Sequence, residues 1–135
     1  MSRQHEGGCL CGAVRYRISE PAKFSSICHC RSCQRATGSP VSGFVGVTAD
    51  HFTVLTGNIA LYESSPGVRR GFCRQCGTSL TYEGNPWPDE VHIYTATLDD
   101  PTVLPPSLHT MTVDSIPWLI TEDDLAEKTG FDSAP

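Results

Sequence analysis

Polar and apolar residues alternate most regularly in AVRYRIS (13–19). As an extended strand this segment places Val14, Tyr16 and Ile18 on one face and Arg15 and Arg17 on the other. Shorter apolar or β-branched runs recur at 41–47, 51–56, 59–63, 78–83 and 91–97, separated by turns rich in Gly, Pro and Asn. VHIYTAT (91–97) is the clearest of them. A spacing of roughly ten residues between runs predicts a mainly β domain of antiparallel strands. Helical signals are confined to two stretches. CRSCQRATG (30–38) predicts a short helix that starts among cysteines and stops at Gly38. TEDDLAEKTG (121–130) offers a capping box, Thr121 with Asp124, and a terminating Gly130. At about eight residues that second helix cannot persist alone and must dock or fray. Pro101, Pro105 and Pro106 mark an extended connection before the last strand-like piece.

A chain of 135 residues is expected to form one domain with a sizeable core. No apolar run approaches the ~20 residues that span a bilayer, so no membrane partner is expected. The opening MSRQHEGG lacks the apolar segment of a secretory signal, and a cytoplasmic location is the expectation. Net charge is −5, but the total conceals an asymmetry: residues 114–135 hold six acids and one lysine, whereas the first 113 balance. A pI near 5.4 argues against nucleic acid as a partner. The arginines near the cysteines (Arg31, Arg35, Arg69, Arg70 and Arg74) read instead as local groups serving thiolates or a small acidic ligand.

Seven cysteines in a reducing compartment point to metal or catalysis before disulfides. They fall into three clusters: GGCLCG (Cys9, Cys11), CHCRSC (Cys28, Cys30, Cys33) and FCRQCGT (Cys73, Cys76). The C-x-x-C-G of the last is a zinc knuckle, which needs a second pair to complete a tetrahedral site. Cys9 and Cys11 are the preferred partners, since that grouping leaves a self-contained trio; two cysteines of the trio are the alternative. A site of four cysteines is coordinatively closed and reads as structural. Three sulfurs from one loop leave a fourth zinc position for water or substrate, the catalytic arrangement. Two other readings stand beside it. His29, or the more remote His5, His51, His92 or His109, closes the trio as a structural site, or the three thiols are redox-active without metal.

GGCLCGAVRY, CHCRSCQRATG and RRGFCRQCGTSLTY together closely resemble the family of glutathione-dependent formaldehyde-activating enzymes and centromere protein V. The resemblance runs from residue 7 to about 120, including LHTMTVDSIPWL. It implies a β-tent fold of small antiparallel sheets with zinc knuckles and one or two short helices. It also implies two zinc ions per chain: a structural one on Cys9, Cys11, Cys73 and Cys76, and a catalytic one on Cys28, Cys30 and Cys33. Residues 1–120 would form this domain and 121–135 an acidic extension, either a short helix or a frayed tail.

The activity so implied is that of a zinc-dependent carbon–sulfur lyase, joining the glutathione thiol to formaldehyde as S-hydroxymethylglutathione. Arg31, Arg35, Arg69 and Arg70 are the candidates for the two carboxylates of glutathione. The competing reading is a non-catalytic zinc-stabilised module that binds a protein partner. Trp87, in GNPWPDE, reads as a packed loop residue or a cleft wall, and Trp118 as core or site wall.

Overall fold

A computed structural model describes residues 3–130. Strand β1 (Gln4–Gly8) leads through the first cysteine turn into β2 (Arg15–Ser19), and β3 (Phe24–Cys28) into the second cysteine cluster and helix α1 (Arg31–Thr37). Then come β4 (Ser42–Thr48), β5 (Phe52–Thr56), β6 (Ile59–Ser65) and β7 (Val68–Cys73). After the knuckle follow β8 (Ser79–Gly84), β9 (Glu90–Tyr94), β10 (Leu108–Thr110) and the two-residue β11 (Ala126–Glu127). The expected mainly β architecture is therefore present, with one short α-helix among the described residues. No helix among the described residues is long and apolar enough to cross a membrane.

Two sheets share the strands. A three-stranded sheet runs β1-β2-β5 and an eight-stranded one β11-β10-β3-β4-β9-β8-β7-β6. All pairings are antiparallel except those of β10, which lies parallel to both β3 and β11. The alternation read in AVRYRIS is realised: Val14, Tyr16 and Ile18 are buried at 2%, 0% and 0% exposure. On the other face Arg15 pairs with Asp99 and Arg17 with Glu6. The apolar face packs against Val45 and Val47 of β4, Leu80 of β8, and Val91 and Ile93 of β9. Ile93 is fully buried. Its replacement by alanine is expected to cost about 3 kcal/mol, as burial is lost and a cavity left. Urea unfolding at constant m-value checks this.

Strand β9 is buried on both faces, so a period of two puts different chemistry on each. Val91 and Ile93 enter the core between the sheets, while His92 and Tyr94 face the opposite side. Strand β4, registered with Phe44 opposite Tyr94 and Val45 opposite Ile93, repeats this division. The second face carries a smaller cluster of Cys28, Cys33, Phe44 and Tyr94, with Phe24, Cys30, Tyr82 and Met111 against it.

The helix expected over 121–130 does not form. The segment runs extended and pairs with β10, Leu108 opposite Ala126 and His109 opposite Glu127. Its amides and carbonyls bond across the chain: Lys128 N to His109 O, Met111 N to Gly130 O, and Thr112 N to Lys128 O. A helix this short is marginal in isolation, and the open edge of β10 satisfies the same backbone groups. Residues 131–135 of the predicted tail lie outside the described residues. Trp118, expected in core or site wall, is instead 70% exposed.

Candidate functional site

Cys9 and Cys11 sit in the turn between β1 and β2, while Cys73 ends β7 and Cys76 lies in the turn to β8. Each turn ends on a glycine with positive φ, Gly12 at 83° and Gly77 at 80°, a conformation that disfavours a Cβ. Gly77 N bonds Cys73 O at 2.8 Å, and Gly12 N bonds Cys9 O at 3.1 Å, closing both turns. The four sulfurs thereby come within 4.8 Å of one another. Cys9 and Cys11 are 3.6 Å apart and Cys11 and Cys73 3.8 Å. A tetrahedral zinc with bonds of about 2.3 Å requires sulfur–sulfur edges of about 3.8 Å. The donor set thus fits the metal that the spacing predicts, and it links the smaller sheet to the larger. Its sulfurs are stabilised as acceptors: Val14 N donates to Cys9 Sγ at 3.2 Å. Thr78 Oγ1 lies 3.1 Å from Cys76 Sγ, and this hydroxyl leads the contacts that bring the Cys76 thiol down to about 5.

Cys28 closes β3, Cys30 precedes α1, and Cys33 lies in its first turn. No side chain of the helix caps its own start. Asp114 does so from a distance, accepting from Arg31 N at 3.1 Å, while Gln34 Nε2 ties the backbone oxygens of His29 and Asp114 together. The three cysteines line one cavity of about 40 Å³ with Phe24, Phe44, Tyr82, Trp87 and His92. Trp87 is therefore both a packed loop residue and part of the wall. Electrostatically the three thiols are unequal. Cys28 and then Cys33 draw the Cys30 thiol far below its ordinary value, whereas Cys28 and Cys30 push Cys33 far above. The three sulfurs thus share one cavity wall, and thiolates are donors that thiophilic ions take.

His29, weighed as a fourth ligand, has its Nε2 turned to His109 Nδ1 at 2.9 Å. Of the four expected arginines, Arg70 comes closest to the trio. Its Nη1 lies 3.5 Å from Cys33 Sγ and 3.4 Å from the Tyr94 hydroxyl, and the guanidinium stacks 5.0 Å from the Tyr82 ring centroid. Burial opposes the Arg70 charge, but the facing Cys33 raises its pKa on balance. Arg70 also borders an open groove of about 610 Å³, lined by Arg35, Tyr62, Ser64 and Tyr94 among others. Arg69, one residue along β7, alternates to the other face and pairs with Glu83 at 3.5 Å. Arg31 is exposed, its guanidinium held by Gln34. The structure thus gathers Arg35 and Arg70 and sets Arg31 and Arg69 apart from them.

Tyr82 and Tyr94 escaped the sequence reading, and His92 entered it only as a candidate ligand. Burial pushes the Tyr82 and Tyr94 phenols up to about 12, so both stay protonated at neutral pH. His92 bonds Glu90 at 3.0 Å, and Glu90 in turn takes Lys23 at 2.9 Å. The dyadic pattern of VHIY, buried on both sides, was the signal that its even positions face something other than solvent.

A sequence profile of the glutathione-dependent formaldehyde-activating enzymes matches residues 4–114. The chain belongs to that family. Among curated family relatives, a protein of Halomonas elongata assigned by name to these enzymes is 29% identical over 129 residues, covering 87% of this chain and 80% of its own. A Schizosaccharomyces pombe protein, named only as an uncharacterised lyase, is 36% identical over 81 residues, covering 58% of this chain and 57% of its own. Among solved structures, a Rhodobacter sphaeroides protein superposes with a TM-score of 0.58 at 25% identity, covering 70% of this chain and 87% of that one.

Proposed function

We propose that this family member is a zinc-dependent carbon–sulfur lyase that interconverts glutathione plus formaldehyde with S-hydroxymethylglutathione, and that Cys28, Cys30 and Cys33 form its reaction centre. The single observation that carries this reading is the convergence of those thiols on a cavity of one-carbon size, with Arg70 reaching from Cys33 to an open groove. A zinc ion held by the trio would supply a position at which an incoming thiol is deprotonated. A second zinc, on Cys9, Cys11, Cys73 and Cys76, would be structural.

The chain's own residues do the rest. A volume of about 40 Å³ holds two or three waters, room enough for formaldehyde but not for a tripeptide. The groove is within the usual range for small-molecule sites, and Arg35 and Arg70 suit carboxylates there. Because Arg70 touches both Cys33 and the groove, it aligns the peptide with the cavity and offsets sulfur charge. The glutathione S–H bond breaks, its sulfur bonds to the aldehyde carbon, the carbonyl π pair moves to oxygen, and that oxygen takes up the proton the thiol released. The Tyr82 phenol, a cavity-wall group protonated at neutral pH, would donate a hydrogen bond to that oxygen. Confinement replaces a bimolecular encounter.

Exchange NMR on glutathione, formaldehyde and their adduct tests the proposal: catalytic amounts of zinc-replete protein should accelerate the exchange. No acceleration, together with indifference to millimolar glutathione in calorimetry, would favour the protein-interaction module instead. On the same assay Arg70→Ala should lower kcat/KM about tenfold to hundredfold, the scale of a lost charge-assisted hydrogen bond. Arg70→Lys should recover only part, since an ammonium lacks the guanidinium fork. Arg69→Ala serves as the near-neutral control.

A further inference from the structure

We infer that Asp123 and His109 are positioning residues for the Cys28–Cys33 loop, acting through the buried imidazole of His29. The three side chains form a continuous chain. Asp123 Oδ2 lies 3.0 Å from His109 Nε2, and His109 Nδ1 lies 2.9 Å from His29 Nε2. His109 is 1% exposed and His29 4%, so water does not compete for these bonds. The carboxylate only accepts, so a neutral His109 carries its proton at Nε2 and presents a lone pair at Nδ1. His29 must therefore donate from its own Nε2, which leaves a lone pair on Nδ1. That atom is buried with no hydrogen-bond partner among the described groups, a place where an N–H would be harder to accommodate.

The backbone pins the same residue. His29 N donates to Thr110 O at 3.0 Å, and His29 O accepts from Gln34 Nε2 at 2.8 Å. His29 separates Cys28 from Cys30, so fixing its ring and both backbone groups fixes the angle between two of the three sulfurs. Supporting residues behind a metal loop act this way, holding the ligands rather than touching the metal. Asp123 lies beyond the family match at residue 114 and belongs to the strand-forming segment 121–130. A local turn steadies its carboxylate, with Leu125 N donating to Oδ1 at 3.0 Å. The acidic extension therefore belongs to the site's support.

Asp123 is partly exposed, which makes Asp123→Ala a variant that should fold. Asp123→Asn is the conservative partner, because its amide oxygen still accepts. Nitrogen-15 imidazole spectra at pH 8 should show His29 and His109 protonated at Nε2 in the wild type and in Asp123→Asn. In Asp123→Ala they should show mixed tautomers. Unchanged spectra in the alanine variant would overturn the inference.

A second arm rests on the proposed metal role of the trio. In cobalt titrations the weaker of two equivalents should lose about tenfold to hundredfold affinity in Asp123→Ala and recover in Asp123→Asn. Identical affinities in wild type and Asp123→Ala would also overturn the inference. If the wild type takes one equivalent only, the two-metal reading fails, and the imidazole spectra still decide the positioning role.

Discussion

Cys73→Ser is expected to produce the largest loss of stability of any single substitution in this chain. The thiol is 1% exposed and joins a four-sulfur group that links the β7–β8 turn to the β1–β2 turn. Serine preserves the shape but removes the soft ligand on which zinc affinity depends. Structural zinc in small domains contributes on the order of 10 kcal/mol of apparent binding energy at neutral pH. A domain's whole stability is only about 5–15 kcal/mol. Losing even a third of the metal's contribution lowers the melting temperature by about 10 °C. The expected result is therefore a chain that binds one metal fewer and melts at least about 10 °C lower, or does not fold at 37 °C. Leu10→Ala, at a 90% exposed position in the opposite turn, should melt like the wild type. Calorimetry with metal analysis on the same samples checks both. A metal-free wild type, with Cys73→Ser melting alongside it, would remove the structural-zinc reading.

What the sequence made legible follows from where local chemistry dominates. AVRYRIS announced strand β2 because both of its faces have a defined fate, core on one side and ion pairs on the other. The helix at Arg31–Thr37 ends where expected, with Gly38 N bonding Gln34 O at 2.7 Å. The sulfur quartet was legible because C-x-x-C-G specifies a turn almost by itself. Strands β1, β3 and β7 were not visible, whereas β10 follows the prolines as the expected last strand-like piece. QHEGG, FSSIC and VRRGFC carry no clean alternation, and pairing with neighbours decides their conformation. The same cause converted TEDDLAEKTG from a predicted helix to an edge strand.

The site was legible in its sulfurs and much less so in its walls. Spacing along the chain brings Cys28, Cys30 and Cys33 together, and Trp87 was weighed as a cleft wall, but nothing local says that Tyr82 and His92 close the cavity from another part of the sheet. Arginine beside cysteine in sequence proved a mixed guide. Arg31 is the trio's neighbour in the chain yet points to Gln34, whereas Arg70, far along the chain, meets Cys33. Strand parity separates Arg70 from Arg69, and that parity could be stated only once β7 was recognised as a strand.

Cys30→Ser is the counterpart of Cys73→Ser and separates chemistry from scaffold. Cys30 is half-buried at the mouth of α1, and Cys28 and Cys33 draw its thiol below its ordinary value. Its sulfur belongs to one loop and ties no two sheets together. The melting temperature should consequently move by less than about 5 °C, within the range of ordinary non-core substitutions. The expected losses are one metal equivalent of two and roughly a thousandfold or more in the exchange rate, the scale of removing a key electrostatic group from a reaction centre. Run in parallel, the two variants form a crossed test: Cys73→Ser sacrifices stability and Cys30→Ser sacrifices turnover. Cys30→Ser with full catalytic exchange and both metals retained would place the reaction elsewhere on the molecule. A loss of stability equal to that of Cys73→Ser would instead make the trio a second structural clamp, and the open-site chemistry would fall with it.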